Sequence, residues 1–452
     1  MKPKSSLLIA LVILALLTGA LPALASYTAA VPQLPWDIQY AVDDINTTGI
    51  SVETDAFTGL PMVVFYNRDT NLLTQSVYHG PGYPGDCGTN NVWTCFEFWD
   101  SDNAGKINDV AYFANPSAAY RKTGYFFYDE SEHSLEYWLR YDVNDIGNLV
   151  RTKIIDLDDY CGTSDCAITS VVSLTYDDYG SAHGVAVIDT AGNDHLLYFH
   201  EVGGSGNCGL YGGSEFWEFA DVVTEDNGAA DPSITILPPD SPRIAYYRPA
   251  DSSLRYAYPT SVNSNCGSAN DWRCIEIDDI GSTGRYPSIA YGGALHIAYF
   301  NAQTGYLWLA KYVGSGGNCG FDLTANRWQC DAIDNVGITP LLHGISLVMD
   351  GTEPVIAYMD ANDGEQTEVK LAQRVQRAGL TSGNCGPGDI FQTWDCQTLD
   401  QGPYSLGAEI EMFITPRGGL FLGYLEDNYD AYETHVLAAR QYYMVRLPLI
   451  RK

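Results

Sequence analysis

The chain has 452 residues, and its 56 aspartates and glutamates outweigh its 24 lysines and arginines to give a formal net charge of −32. A surface of that sign is repelled by nucleic-acid phosphates and by anionic lipid headgroups, so both are excluded as partners. The eleven cysteines suit an oxidising, exported environment.

Residues 1–25 have the features of a secretory signal. Lys2 and Lys4 precede an apolar run, and residues 23–25 form a small-x-small cleavage site. The apolar run is short for a membrane anchor, and no later segment is long and apolar enough to cross a bilayer. The mature protein is therefore predicted to be secreted, extracellular or associated with the cell surface, without a membrane span.

An internal repeat fills the remainder of the chain, residues 26–443. Its clearest marker is a strand that ends in an aromatic residue, as in HIAYF (296–300) and VIAYM (355–359). Seven equivalent positions recur at spacings of 53 to 66 residues: Tyr66, Tyr128, Ile188, Tyr246, Tyr299, Tyr358 and Tyr424. Each copy contains four runs of strand length separated by turn residues, and no sustained helical period follows the leader.

Four strands in each of seven copies predict an all-β fold, a single seven-bladed β-propeller of four-stranded antiparallel blades. Residues 35–44 match the fourth-strand pattern at 271–279, with Trp36 in the place of Trp272. No such strand follows the seventh blade's third strand at 435–441, so the N-terminal copy is predicted to complete that blade. Residues 444–452 form a C-terminal tail, read either as a sorting signal or as an edge strand.

Ten cysteines fall into pairs that follow the repeat, and the pairs are spaced too widely for zinc ligands. We expect five local disulfides: Cys87–Cys95, Cys161–Cys166, Cys266–Cys274, Cys319–Cys330 and Cys385–Cys396. In blade three, Phe219 occupies the position of the second loop cysteine, which leaves Cys208 as the odd thiol.

Acidic turns collect on the face opposite the cysteine loops, where the crossovers between blades and the turns between second and third strands lie. The predicted binding residues of this crossover face are Asp278, Asp279, Arg285, Tyr286, Asp334 and Asp400. A repeated Asp before Gly also bonds its own backbone in turns, which is the alternative interpretation. The uniform cysteine loops are expected to form inert scaffold, because sites are usually built on variable loops.

Two loops place oxygen ligands before a glycine, as calcium prefers, although neither completes an EF-hand. The candidate calcium ligands are Asp100 and Asp102 in the first loop, and Asp360, Asn362 and Asp363 in the second. No other cofactor is expected.

Over residues 35–443 the architecture resembles the sialidase-like superfamily of extracellular propellers. That family's S-x-D-x-G-x-x-W box has its nearest match at 301–308, which keeps Gly305 and Trp308 but has Asn301 and Gln303 where Ser and Asp belong. The resemblance implies a glycan-directed protein, yet the family's catalytic residues find no matching motif here. We therefore predict a monomeric, non-catalytic module that binds a glycan or protein ligand at the cell surface, with a glycan-cleaving hydrolase or lyase as the alternative.

Overall fold

The computed structural model describes residues 36–441, apart from 99–102, 116–119, 142–148, 164, 191–192, 212–213, 225–227, 338–343, 362–366, 376–382, 387–392, 402–404 and 429–432. Over these residues the chain forms seven antiparallel sheets arranged as a seven-bladed β-propeller, which confirms the predicted fold. The leader at 1–25, the tail at 444–452, and the candidate ligands Asp100, Asp102, Asn362 and Asp363 lie outside the described residues. Within the described ranges, no helix has the length and apolar character needed to cross a membrane.

Each blade begins at the channel and ends at the outer rim. Blade one contains β2 (Thr47–Thr54), β3 (Pro61–Asn67), β4 (Leu72–Tyr78) and β5 (Trp93–Glu97). Blade two contains β6 (Ala104–Asn115), β7 (Tyr120–Asp129), β8 (Ser134–Tyr141) and β9 (Leu149–Asp156). Blade three contains β10 (Cys166–Ile168), β11 (Ser173–Tyr176), β12 (Ala182–Thr190), β13 (Asp194–Glu201), β14 (Cys208–Tyr211) and β15 (Ser214–Val223). Blade four contains β16 (Ala230–Leu237), β17 (Ser241–Arg248), β18 (Ser253–Pro259) and β19 (Trp272–Asp278). Blade five contains β20 (Thr283–Tyr291), β21 (Leu295–Asn301), β22 (Tyr306–Tyr312), β23 (Cys319–Asp322) and β24 (Ala325–Asn335). Blade six contains β25 (Ile345–Asp350), β26 (Glu353–Asp360), β27 (Glu368–Arg374) and β28 (Trp394–Gln401). Blade seven contains β29 (Ser405–Ile414), β30 (Leu420–Asn428), β31 (Glu433–Gln441) and the N-terminal β1 (Trp36–Ile45).

Three elements go beyond four strands per blade. The short strands β14 and β23 lie inside the cysteine loops of blades three and five and extend those sheets at the rim. Blade three also has β10, which pairs with β12 next to β11. An α-helix at Leu157–Cys161 and a 3-10 turn at Thr89–Asn91 are the helical segments of the described chain.

The ring closes as the sequence predicts. The strand β1 pairs antiparallel with β31, from Trp36 opposite Gln441 to Ile45 opposite Thr434. The last blade is therefore built from both ends of the described chain, and no outer edge of β31 is left open.

The repeat markers lie where the blades pack against one another. All seven marker positions fall on the second strand of a blade and are buried. The tryptophans that precede the second loop cysteine are buried too, at Trp93, Trp272, Trp328 and Trp394. The aromatic side chains of the repeat thus form the hydrophobic layers between blades, which is where most of the apolar area is removed from water.

All five predicted disulfides are present, and Cys208 is the free thiol. In blade four, the Asn265 side chain both accepts from the Cys274 N–H at 2.7 Å and donates to the Cys274 carbonyl at 2.9 Å. The same asparagine clamp holds the loops of blades five and six. This shared N-C-G geometry explains why the loops are uniform in sequence. The five disulfides fit an extracellular protein.

Candidate functional site

The first strands of the blades surround a central channel with a volume of about 240 Å³. Equivalent positions on its wall carry Ser51, Asp109, Ser173, Ser233, Ser288, Ser346 and Glu411. At six junctions this side chain accepts a hydrogen bond of 2.6–3.4 Å from a backbone N–H of the next blade. At the seventh, the Ser51 hydroxyl donates to Asn108 Oδ1 at 2.7 Å. The channel wall is therefore a ring of bonds that ties neighbouring blades together.

Two members of the ring are carboxyls, and they are hydrogen-bonded to each other. Burial raises the pKa of Asp109 to about 7, and burial together with the charge of Asp109 raises that of Glu411 well above its usual range. Burial also raises the pKa of the nearby Glu53 to about 8. A proton therefore stays between Asp109 and Glu411 at neutral pH.

This pair does not match the geometry of a glycosidase. Paired catalytic carboxyls stand roughly 5–10 Å apart on either side of the bond they cleave. Here the two carboxyls touch, and each also accepts a 2.6 Å bond from a backbone N–H, Asp109 from Leu174 and Glu411 from Val52. Their contacts are those of a structural link between blades.

Arg285 and Tyr286 lie together at the channel mouth on the crossover face. Tyr286 lines the channel two residues before Ser288, and the Arg285 guanidinium lies 5.5 Å from the centre of the Tyr247 ring. Burial and the charge of Asp231 raise the pKa of Tyr286 to about 12. Both Tyr286 and Asp231 have left-handed backbones, with φ of 51° and 50°. Such strain in residues other than glycine is commonest at functional sites.

The repeated aspartates have structural partners. Asp278, Asp334 and Asp400 each end the outer strand of a blade and accept a bond from the marker tyrosine of the next blade. The donors are Tyr299 at 2.8 Å, Tyr358 at 2.7 Å and Tyr424 at 2.6 Å, respectively. Asp279, beside the first of them, is exposed. Ligand binding by these aspartates stays a prediction, and the structure gives three of them a role in locking blades together.

Of the candidate calcium ligands, Asp360 is within the described residues. It is buried at the end of β26 and forms an ion pair with the Lys370 ammonium, which also lies 3.6 Å from Asp334. Asp86, Cys87 and Cys95 also lie close enough together to hold a metal ion. The two cysteines cannot supply thiolates, because they form a disulfide.

A cleft that the sequence analysis missed lies between blades four and five, at the cysteine-loop face. It has a volume of about 410 Å³ and is lined by Arg243, Tyr256, Tyr258, Tyr291, Tyr312, Asp322 and Arg327, among others. Tyr256 and Tyr258 are two residues apart on β18, so their side chains lie on the same face of the strand, towards blade five. That spacing predicts a shared face, but it does not predict which residues of blade five complete the cleft.

The charged groups of this cleft are already arranged around one carboxylate. Asp322 is buried and accepts a 2.5 Å bond from Arg273, while Arg327 Nε lies 3.4 Å from its other oxygen. Arg327 Nε is buried without a hydrogen-bond partner. Arg243 stacks over the Tyr258 ring at 5.2 Å. The cleft therefore joins aromatic faces to guanidinium donors.

The rim of the cleft is apolar and open to solvent. Leu323 is 51% exposed and Tyr291 is 36% exposed. Leu323 belongs to the hairpin of β23 and β24 inside the longer cysteine loop of blade five. Exposed apolar residues that border a polar cleft are typical of a binding site.

No family model and no curated protein matches the chain. Among solved structures, polysaccharide lyase Uly1 is similar with a TM-score of 0.45 and 10% identity over 90% of this chain and 99% of that one. A six-bladed propeller lectin from Aleuria aurantia, described with a fucose recognition mode, gives 0.40 and 14% over 76% and 96%. The exo-beta-1,3-galactanase 1,3Gal43A from Clostridium thermocellum gives 0.32 and 9% over 91% and 97%. At TM-scores below 0.5 these likenesses carry no argument about what the chain does.

Proposed function

We propose that the protein is an extracellular glycan-binding propeller and that its sugar site is the tyrosine cleft between blades four and five. The observation that carries the proposal is the joining of four tyrosines to guanidinium donors in one open cleft of about 410 Å³. That volume lies within the range of small-molecule sites, roughly 300–1,000 Å³.

The cleft has both kinds of contact that a sugar needs. The apolar C–H face of a pyranose packs on an aromatic ring, and Tyr291 at the rim and Tyr258 inside offer such rings. Sugar hydroxyls and carboxylates accept bonds from guanidinium groups, and Arg327 Nε is a buried donor that makes no hydrogen bond, although it forms an ion pair with Asp322 Oδ2 at 3.4 Å. A ligand acceptor at that nitrogen would supply the missing hydrogen bond.

The local charge favours an acidic sugar. The three arginines around the cleft, Arg243, Arg273 and Arg327, outnumber its one carboxylate, Asp322, which gives a local charge of 3 − 1 = +2. The whole chain carries −32, so this patch is unusual on its surface. A carboxylated residue such as a uronic acid suits it, since guanidinium groups bind carboxylates in a bidentate manner.

The same cleft is poorly arranged for hydrolysis. Among the described residues, Asp322 is the one acidic residue that lines it, and two arginines hold that carboxylate. Glycoside hydrolysis usually needs a second carboxyl on the other side of the bond. This supports the binding role over the glycan-cleaving alternative that the sialidase-like resemblance implies.

The test is calorimetric titration of neutral and uronic-acid oligosaccharides into the full chain. Tyr291→Ala should weaken binding about 10-fold, and Arg327→Gln should weaken binding of the acidic sugar about 10- to 100-fold, as expected for a charged hydrogen bond. Tyr83→Ala is the matched control, since Tyr83 is an exposed tyrosine on the same face.

A parallel variant separates this cleft from the crossover face. If Arg285→Ala abolishes binding while Tyr291→Ala and Arg327→Gln leave it intact, the ligand sits at the channel mouth, as the sequence predicts, and the cleft proposal is wrong. Appearance of new reducing ends during the titration would instead support the glycan-cleaving alternative.

A further inference from the structure

Two histidines and two aspartates meet at the boundary of blades three and four. They are Asp177, His183, His200 and Asp240, and each offers one ligand atom within 4.8 Å of the others. His183 and His200 lie opposite each other on β12 and β13. Asp177 follows β11, and Asp240 comes from the turn between β16 and β17 of the next blade.

His183 is oriented as a metal ligand would be. It is fully buried, and its Nδ1 lies 2.6 Å from the Tyr198 hydroxyl. Its Nε2 has no hydrogen-bond partner and lies 3.6 Å from Asp177 Oδ2 and 3.4 Å from Asp240 Oδ1. A buried nitrogen without a partner is costly, and a metal-bound histidine shows this same division of its two nitrogens.

Asp177 is held in a comparable way. Its Oδ1 accepts backbone N–H bonds from Tyr179 at 2.9 Å and Ser181 at 2.7 Å, which fixes the side chain in its turn. The other oxygen, Oδ2, is left to face His183. Both buried members of the cluster therefore have one atom fixed by the protein and one atom directed into the cluster.

His200 completes the set with a second imidazole. Its ring stacks on that of His183 with centroids 4.2 Å apart and an angle of 14°. Imidazole is the commonest metal ligand among side chains, and this second ring presents one nitrogen to the cluster.

We propose that these four residues form a binding site for a divalent cation of the zinc class. Zinc takes imidazole nitrogen and carboxylate oxygen at about 2.0–2.2 Å, usually with four ligands in a tetrahedron. Two aspartates balance its charge. Calcium is disfavoured because it takes oxygen ligands, whereas this set offers two nitrogens.

The cluster closes around such an ion when the His200 ring turns out of its stack with His183, because the lone pairs of two nearly parallel rings do not point to one centre. A tetrahedron at these bond lengths sets its ligands about 3.4 Å apart, close to the 3.6 and 3.4 Å between His183 Nε2 and the two aspartates, and the remaining atoms must contract from within 4.8 Å. Asp240 is 39% exposed and sits on a turn, so it can supply that contraction. The site opens onto a surface cleft of about 650 Å³, whose far side carries Lys122 in an ion pair with Glu201 at 3.3 Å.

The consequence is a cation that cross-links two blades at the cysteine-loop face. Blade three keeps the N-C-G loop but not its disulfide, since Cys208 is a free thiol there. The site thus supplies a link in the region where the repeated one is lost.

The experiment is zinc titration of the untagged full chain after chelator treatment, read by bound metal per chain and by melting temperature. We expect one equivalent of zinc and a higher melting temperature with zinc than with chelator. Asp240→Asn and His200→Gln should each abolish both effects. Asp178→Asn is the control, because Asp178 is an exposed aspartate in the same turn as Asp177 but outside the cluster.

Two further readouts keep the result decisive. Tyr198→Phe, which removes the bond that orients His183, should weaken zinc about 10- to 100-fold without abolishing binding. Cobalt(II) bound to the wild-type chain should show the visible absorption of a four-coordinate site. Wild-type protein that holds under a tenth of an equivalent of zinc, or Asp240→Asn and His200→Gln proteins that bind zinc as the control does, would overturn the proposal.

Discussion

Replacing Glu411 with glutamine tests whether the carboxyl pair in the channel wall shares a proton. Asp109 has a pKa of about 7 in the fold, raised from the usual 3.8 by burial beside Glu411. The folded chain therefore keeps a proton that the unfolded chain releases above pH 4, and stability falls as the pH rises from about 4 to about 7. A shift of about 3 units is worth ~4 kcal/mol at most above pH 7.

The Glu411→Gln side chain removes the like charge and offers an N–H to Asp109 at every pH. We expect it to recover about half of that loss, ~2 kcal/mol at pH 8, with little change at pH 5. With an unfolding entropy of roughly 2.1 cal/mol/K per residue over about 400 residues, this is a rise of ~2–3 °C in melting temperature at pH 8.

The assay is scanning calorimetry at pH 5 and pH 8 at one ionic strength. Glu215→Gln is the control, since Glu215 is exposed and the charge change is the same. Part of the pH dependence should remain in the variant because Glu53 has a pKa of about 8. A wild-type difference between the two pH values that Glu411→Gln leaves unchanged would refute the shared proton.

Three other outcomes follow from the described contacts. Deleting residues 36–45 should leave β31 as an open edge, so the chain should associate or melt at a lower temperature, and light scattering that shows a monomer with unchanged melting would contradict the closure. Burial raises the pKa of the Cys208 thiol to about 12, so thiol reagents at pH 8 should modify the native chain slowly and the denatured, unreduced chain once; a count of zero would indicate another pairing. Tyr299→Phe should cost about 1–3 kcal/mol by leaving the buried Asp278 without its 2.8 Å donor, whereas Tyr179→Phe at an exposed site should be neutral; equal melting temperatures would argue against the blade lock.

The fold could be predicted because its signals are local and repeated. Each marker strand carries its own aromatic residue, each cysteine loop its own partner, and the N-terminal strand its own copy of the pattern around Trp272. Even the unpaired Cys208 follows from one position, where Phe219 stands in place of a cysteine. Seven repetitions of one modest signal outweigh the ambiguity of any single copy.

The sites could not be predicted in the same way because they join residues across blades. The sequence offers Asp278 as a ligand residue or a turn residue, but its partner is Tyr299 of the following blade. His183 and His200 are 17 positions apart in sequence and meet only through the register of β12 and β13, and Asp240 arrives from another sheet. No spacing within one repeat encodes such a meeting, so sequence periodicity predicts the scaffold better than its surfaces.

The strand that closes the ring also sets the order in which the chain can finish folding. The β1 segment at Trp36–Ile45 is made before the other described strands, yet its partner β31 ends at Gln441. Synthesis at roughly 5–20 residues per second leaves it waiting for about 20–80 seconds. During that time six blades can assemble from local contacts, while β1, with its alternating apolar and polar residues, stays unpaired. The newborn chain is therefore most exposed to misassociation at the end that emerges earliest, and a chaperone that protects it would need to hold that end until the last strand appears.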